Sequence, residues 1–328
     1  MWTLLTGSKI HVTTWAEVLH AAVTVGRANT AHVMRHGGYS WMELSYRASM
    51  ILANLKEAPR GQILSTGAYR GLDPSEKGAV SYFVGLMAAK LLASTQLEVP
   101  WLMHLDAYRG VVTITRSTTS KRRPDLFGPN AAGRWVAIEA KGRSGTVPSG
   151  LMDDAKEQAE NVSLVNGASP LCRVASLSGF DGDAMHVEFA DPPNERSNAR
   201  RLAITLLEDE YLRRYYQVLL TVLQTADEGA SRRIEVGGQT FDCVSFLAVD
   251  LTVGINQRLR QRLEQKKAIT ASEVDEMVGQ ARVSSIGDQP AAEREDAFAG
   301  RDGIAVQLGR SWTVEQMRLE PVDRVLRG

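Results

Sequence analysis

Apolar residues recur at helical spacing through the first part of the chain. Trp15, Val18, Leu19, Ala22 and Val25 share one face, and from Trp41 to Leu55 apolar positions return at three- and four-residue steps. Thr14 with Glu17, and Ser40 with Glu43, stand at capping-box spacing ahead of these two segments. The pattern predicts a helical N-terminal module over residues 1–72. A third helix is signalled at Asp73-Pro74-Ser75-Glu76, where Asp73 can cap, Pro74 suits the first turn and Glu76 favours the positive end of the helix dipole. It is expected to run to about Ser94.

The period then changes. VPWLMHLDAY has the apolar density of a buried strand, and GVVTITR adds β-branched residues in alternation. In RRPDLFGPNAAGRWVAIEAKGRSG, the turn residues Gly128-Pro129-Asn130 and Gly133 separate two short apolar runs, which predicts a β-hairpin. Leu151 to Val165 reads as a helix and CRVASLSGF as another strand, giving the order helix, three or four strands, helix, strand. The polar run DPPNERSNA, from Asp191, marks a boundary. Beyond it come an amphipathic helix from Leu206 to Leu223, strand-like RIEVGG and FDCVSFLAVDLTV, and a charged helix, NQRLRQRLEQKK. GDQPAAEREDAFAG reads as a linker before a final small element ending in VQLGRSW. The expected architecture is α/β: a helical module at 1–72, a core of central sheet and flanking helices at 73–190, and an α/β extension at 191–328 that contacts a partner or DNA.

Composition narrows the class. The chain has 328 residues, 44% hydrophobic and 23% charged, which is an ordinary globular balance with length for about two domains. Lys and Arg number 38, as do Asp and Glu, so a phosphate-binding role needs local concentration of positive charge. Cys172 and Cys243 form no CxxC and no Cys/His ligand spacing, which fits a reducing cytoplasm. The N-terminus lacks a leader pattern. The most apolar run, Val80 to Ala93, is interrupted by Ser81 and Lys90 and falls short of the roughly twenty residues of a membrane span. No membrane passage is expected. With neither a Walker loop nor GxGxxG, no nucleotide cofactor is expected either. His32 and His36 have i, i+4 spacing without a glutamate between them, and GRSGT is not a nucleophile elbow.

The chemistry concentrates in the hairpin. Residues two apart on a strand project to one face, so Glu139 and Lys141 emerge side by side, and Asp125 on the paired strand can lie across from them. Magnesium takes oxygen ligands and usually only one or two protein carboxylates, leaving room for water and phosphate. Asp125 and Glu139 can supply those carboxylates to Mg²⁺ or Mn²⁺, while Lys141 can orient water or stabilise developing negative charge.

On Pro124-Asp125 in RRPDLFG and Glu139-Ala140-Lys141 in WVAIEAKG, the chain resembles the PD-(D/E)XK phosphodiesterases of the restriction-endonuclease-like superfamily, over roughly residues 73 to 180. The resemblance implies a restriction-endonuclease-like core of mixed sheet flanked by helices. It also implies that Asp125 and Glu139 bind divalent metal, that the Ala140 carbonyl adds a ligand, and that Lys141 positions the attacking water. Family members often carry a further acid on the first core helix, which points to Glu76, although a capping-box glutamate belongs at that position too. Gln158, on a stripe with Ala155, Ala159 and Val162, corresponds to a glutamine that some relatives aim at the site. Neighbouring Lys156 is the alternative at that place, although it also reads as a solvated lysine pairing with Glu160. Restriction, antiviral defence, repair and mobile-element processing are the settings implied.

Local charge agrees with a polyanionic substrate. Arg109, Arg116, Lys121, Arg122, Arg123, Arg134, Lys141 and Arg143 face only Asp125 and Glu139 between positions 109 and 143. Lys121, Arg122, Arg123 and Arg143 are the expected nucleic-acid contacts. A second basic run lies at Arg258, Arg260, Arg262, Lys266 and Lys267. DNA is the expected substrate and RNA stays open, since the metal chemistry acts on the phosphate. A protein partner, a homo-oligomer, or a non-catalytic nuclease-like subunit of a larger complex are the other readings.

Overall fold

The computed structural model describes residues 2–6, 9–25, 39–58, 62–105, 111–116, 123–191, 202–227, 229–284 and 296–312. The fold is mixed α/β, with a central mixed sheet flanked by helices. It begins with a hairpin of β1 (Trp2–Thr6) and β2 (Lys9–Thr13), then α1 (Trp15–Thr24) and α2 (Tyr39–Asn54). Next come β3 (Leu55–Glu57), β4 (Ile63–Ser65), the short α3 (Gly67–Gly71) and the long α4 (Pro74–Gln96). The middle of the chain holds β5 (Met103–His104), β6 (Val112–Arg116), β7 (Leu126–Pro129), β8 (Trp135–Gly142), α5 (Leu151–Glu160), β9 (Val162–Val165), β10 (Cys172–Asp181) and β11 (Ala184–Ala190). The last part holds β12 (Leu202–Leu206), α6 (Glu208–Thr225), β13 (Ser231–Val236), β14 (Gln239–Phe246), β15 (Leu251–Asn256), α7 (Gln257–Glu264), α8 (Ala271–Ser284), β16 (Ala297–Ala299) and β17 (Ile304–Leu308).

Nine of the described strands form the central sheet, in the order β2-β1-β11-β10-β8-β7-β5, with β4 beside β11 and β3 beside β4. β8 lies inside it, antiparallel to β7 and parallel to β10. Strand alternation sorts its side chains. Val136, Ile138 and Ala140 pack with Leu86, Ala89 and Ala93 of α4 on one face. On the other, Glu139 and Lys141 stand beside Ala175 and Leu177 of β10, which α5 covers with Leu151 and Ala155. α4 approaches β8 so closely that a Cβ at Gly142 would overlap the Ser81 carbonyl oxygen, and one at Gly85 would lie 2.9 Å from the Gly142 nitrogen.

Two caps follow the sequence pattern. Thr14 and Glu17 close a capping box on α1, and Asp73 and Glu76 close one on α4. The helical module expected at 1–72 contains α1 and α2 but also four strands. WTLLT and KIHVT are rich in β-branched and aromatic residues, and β1 joins the sheet by parallel pairing with β11, a partner some 180 residues away that no local pattern reveals. The helix expected to reach Val165 stops at Glu160, and Val162–Val165 becomes β9. GVVTITR is a strand as expected, but β6 pairs in a separate sheet, β6-β12-β9. FDCVSFLAVDLTV is two antiparallel strands turned at Leu247–Val249, with Asp250 in the left-handed region at φ 43°. The linker expected up to Gly300 includes β16; its residues 287–295 lie outside the described residues, as do His32, His36 and most of the boundary run after Asp191.

Among the described residues, α4 is the one helix long and apolar enough to cross a membrane by length and composition. Here it is the core helix, with Val84, Met87, Ala88, Leu91 and Leu92 buried in the same apolar cluster that runs from Trp15 to Trp312. Its one buried cation, Lys90, is fully enclosed and donates to the Tyr215 hydroxyl at 2.9 Å and to the Pro100 carbonyl. Asp302, in the turn between β16 and β17, balances it at 3.8 Å. Asp302 also meets His20 Nε2 of α1 at 3.0 Å, accepts from the Tyr215 hydroxyl at 2.5 Å and from the Ile304 amide at 3.1 Å. Burial alone would raise its pKa, but His20, Lys90 and Tyr215 hold it below the usual carboxylate range, at about 2. This cluster joins the last sheet to α1, α4 and α6.

Two predictions follow from these contacts. Gly142→Ala should destabilise the protein by about 2 kcal/mol or more through collision with the Ser81 backbone. Gly78→Ala, at an open helical position, should stabilise it by roughly 0.5–1 kcal/mol; equal urea midpoints for the two variants would contradict the close approach. Asp302→Ala leaves Lys90 buried without its counter-charge and should cost about 3–5 kcal/mol in the same unfolding measurement.

Candidate active site

The hairpin that carries the acids is held by its own turn. Asn130 Oδ1 accepts from the amides of Ala132 at 3.0 Å and Arg134 at 2.9 Å, and Gly133 takes φ 69°, a conformation that favours glycine. This fixes Leu126 opposite Ile138, so the next position back, Asp125, comes level with Glu139. The two acids then interlock through the backbone. The Asp125 amide donates to Glu139 Oε2 at 3.1 Å, and the Ala140 amide donates to Asp125 Oδ2 at 3.2 Å.

Lys141 closes the group. Its ammonium contacts Glu139 Oε1 and donates to Gln158 Oε1 at 3.4 Å. Gln158, on α5, donates through Nε2 to the Arg123 carbonyl at 2.8 Å, so one amide ties Lys141 to the segment leading into Asp125. The group is graded in exposure. Glu139 is fully buried, while the side chains of Asp125 and Lys141 are 21% and 30% exposed, so a solvent-borne phosphate would meet Asp125 and Lys141 first.

Burial pushes the Glu139 pKa up to about 8; the charge of Asp125 adds to the rise, and contact with Lys141 only partly offsets it. Negative charge at this point is therefore under-compensated by protein groups, which is the electrostatic demand a hard cation meets. The donors fit such an ion. Asp125 and Glu139 provide two carboxylates, and the Ala140 carbonyl leaves the strand on the same edge as its amide, just beyond the first residue of β7. Among the described residues, no three His, Cys, Asp or Glu side chains converge as a metal cage, and magnesium does not need three.

The remaining expected residues lie elsewhere. Glu76 is exposed in the first turn of α4 and accepts from the Asp73 amide at 3.4 Å, which is the capping role; the structure does not bring it into the Asp125–Glu139–Lys141 group. Arg123 enters through its carbonyl, and Arg143 is exposed just past β8. Lys121 and Arg122 lie outside the described residues. Lys156 is not solvated: it is buried, donates to the Arg173 carbonyl at 2.6 Å and to Asp191, and meets Glu160 at 3.6 Å. Its partners across the fold were invisible to a helical periodicity. In the second basic run, Arg260 pairs with Asp242 and Glu264, and Arg262 with Glu273, so much of that charge is spent within the fold.

His104 is a group the pattern concealed inside an apolar strand. Its Nε2 is 3.8 Å from Asp125 Oδ1 and 3.2 Å from the Tyr82 hydroxyl of α4. Comparison with protein-family models, curated proteins and solved structures found no match. The functional reading therefore rests on the side chains themselves.

Between pH 4.5 and about 8 the folded protein keeps a proton on Glu139 that the unfolded chain has lost. Raising pH through that window therefore removes stability. With chelator present, Glu139→Gln should flatten this slope and melt higher than the parent at pH 8.5, with the difference shrinking toward pH 5. Parallel melting profiles across this range would show that Glu139 titrates normally.

Proposed function

We propose that this chain is a divalent-metal-dependent phosphodiesterase that hydrolyses DNA, built on a restriction-endonuclease-like core. The observation that carries the proposal is the interlocked set of Asp125, Glu139 and Lys141 at the open end of a hairpin, backed by Gln158. The elements around it support the same reading. α4, then β5, β7 and β8, then α5 and β10 run in the order helix, strands, helix, strand, with Glu139 on the strand that pairs antiparallel with β7 and parallel with β10.

In this reading Asp125, Glu139 and the Ala140 carbonyl hold Mg²⁺ or Mn²⁺. Bound there, the ion would supply Lewis-acid stabilisation to the charge that builds on the phosphoryl oxygens. Lys141 orients the attacking water with its ammonium and stabilises the developing negative charge. Gln158, which accepts from the Lys141 ammonium and donates to the Arg123 carbonyl, gives the lysine a second partner beside Glu139 and ties it to the Asp125 segment. Asp125, the more exposed acid, fixes where the scissile phosphate can sit. Defence against foreign DNA or processing of the cell's own DNA are both compatible with such an activity.

With Mg²⁺ or Mn²⁺, the purified protein is expected to cut DNA and to lose that activity in chelator. Asp125→Ala and Lys141→Ala should each lower the rate by roughly a hundredfold or more. A parent protein that leaves supercoiled, linear and single-stranded DNA and RNA intact under every metal condition would give the place to the non-catalytic subunit.

A further inference from the structure

A row of aromatic rings leads away from the candidate site over the outside of two helices. Tyr82, 39% exposed on α4, has its hydroxyl on His104, the histidine beside Asp125. Its ring meets that of Phe83 with centroids 5.6 Å apart, and Phe83 meets Tyr46 of α2 at 6.3 Å, both edge-on. Tyr46 is 57% exposed, and Met42, one turn earlier on the same helix, is 68% exposed. Single exposed apolar residues are ordinary, whereas a connected line of them rooted at a polar site marks a binding surface.

The row is held in place from beneath. Arg47 is buried, donates to the carbonyls of Ala22 at 3.2 Å and Val25 at 2.6 Å, and places its guanidinium 5.9 Å from the centre of the Phe83 ring. Arg47 also pairs with Glu43 at 2.8 Å, which offsets the acid nearest to Tyr46 on that helix. Phe83, half-buried, is thus a fixed ring between two exposed ones.

We propose that Tyr82, Phe83 and Tyr46 form a stacking platform for the unpaired bases of a single-stranded nucleic acid whose backbone enters the Asp125–Glu139–Lys141 group. This rests on the phosphodiesterase reading of that group and names its substrate class. An exposed aromatic face stacks on any base, so the platform tolerates sequence and works only where bases are free of a partner. A duplex keeps its base faces inside the stack and offers the rings only its phosphates and groove edges. Tyr82 and Tyr46 flank Phe83, so successive bases would meet Tyr82 near the cleavage point and Tyr46 farther along the strand.

Fluorescence anisotropy with the full chain tests this in chelator, so that binding is read without cleavage. The probes are a labelled DNA single strand, the same strand annealed to its complement, and a single strand of equal length with abasic sites. The intact single strand should bind at least tenfold tighter than either of the others. Tyr46→Ala and Tyr82→Ala should each weaken single-strand binding about fivefold or more, while Tyr46→Phe and Tyr82→Phe keep it; unchanged melting temperatures establish that the variants are folded. Equal affinity for intact and abasic strands, or full affinity in Tyr46→Ala, overturns the platform. So does a concentration-dependent dimer that Tyr46→Ala abolishes, because the row would then be a protein interface. Lys141-dependent cutting without single-strand preference removes the platform and leaves the phosphodiesterase standing. Ring-dependent single-strand binding without cleavage in any metal keeps the platform and removes the enzyme.

Discussion

Glu139 and Lys141 stand beside Ala175 and Leu177 by the register of β8 with β10, and Asp125 comes level with Glu139 because Leu126 pairs with Ile138, a pairing set by a turn held by the Asn130 side chain. A slip of one residue between β7 and β8 would exchange every side chain of the hairpin between faces. The slip is opposed by packing. Val136, Ile138 and Ala140 fill the space beneath Leu86, Ala89 and Ala93 of α4, and a slipped strand would press Glu139 and Lys141 into that apolar layer. The chemistry of the open end is thus a by-product of hydrophobic register, and no polar contact at the site has to define it.

The same register creates an electrostatic cost. Glu139 is fully enclosed within a hydrogen bond's reach of Asp125's backbone, and the two carboxylates repel each other in a medium that screens poorly. One ammonium 30% exposed does not balance two acids, one of them buried. A fold that needed only stability would place an apolar side chain at 139, as it does on the same face at Trp135 and Ala137. An acid there, with a lysine and a glutamine arranged around it, departs from packing for stability alone, and that departure is what singles the group out as a candidate site.

Local signals were legible and distant ones were not. The capping boxes at Thr14 and Asp73, the hairpin, and the helix at α6 all follow from residues within a few positions of one another. β1, β9 and β12 are stabilised by partners far along the chain, and short apolar segments do not announce which sheet they will join. AMHVEFA does alternate, and Gly182-Asp183 is a hairpin turn, so β11 left a signal that the segment's brevity obscured. Asp302 sits in a turn sequence where an aspartate is ordinary; its importance comes from His20, Lys90 and Tyr215, brought in from three other elements. His104 became visible only when β5 paired with β7 and set it beside Asp125.

α4 connects these parts. Asp73 caps its start, the close approach of Gly85 to Gly142 fixes its middle on β8, and Lys90 secures its later turns to the Asp302 cluster. A helix constrained at three points along its length transmits position faithfully between them. On its outer side the same helix carries Tyr82 and Phe83, whose distance from Asp125 is therefore set by core contacts on the opposite face. The rigid core fixes the two acids and the rings relative to each other. Asp125 and Lys141 are the members of the group left partly exposed, so any ligand from solvent would have to approach from their side.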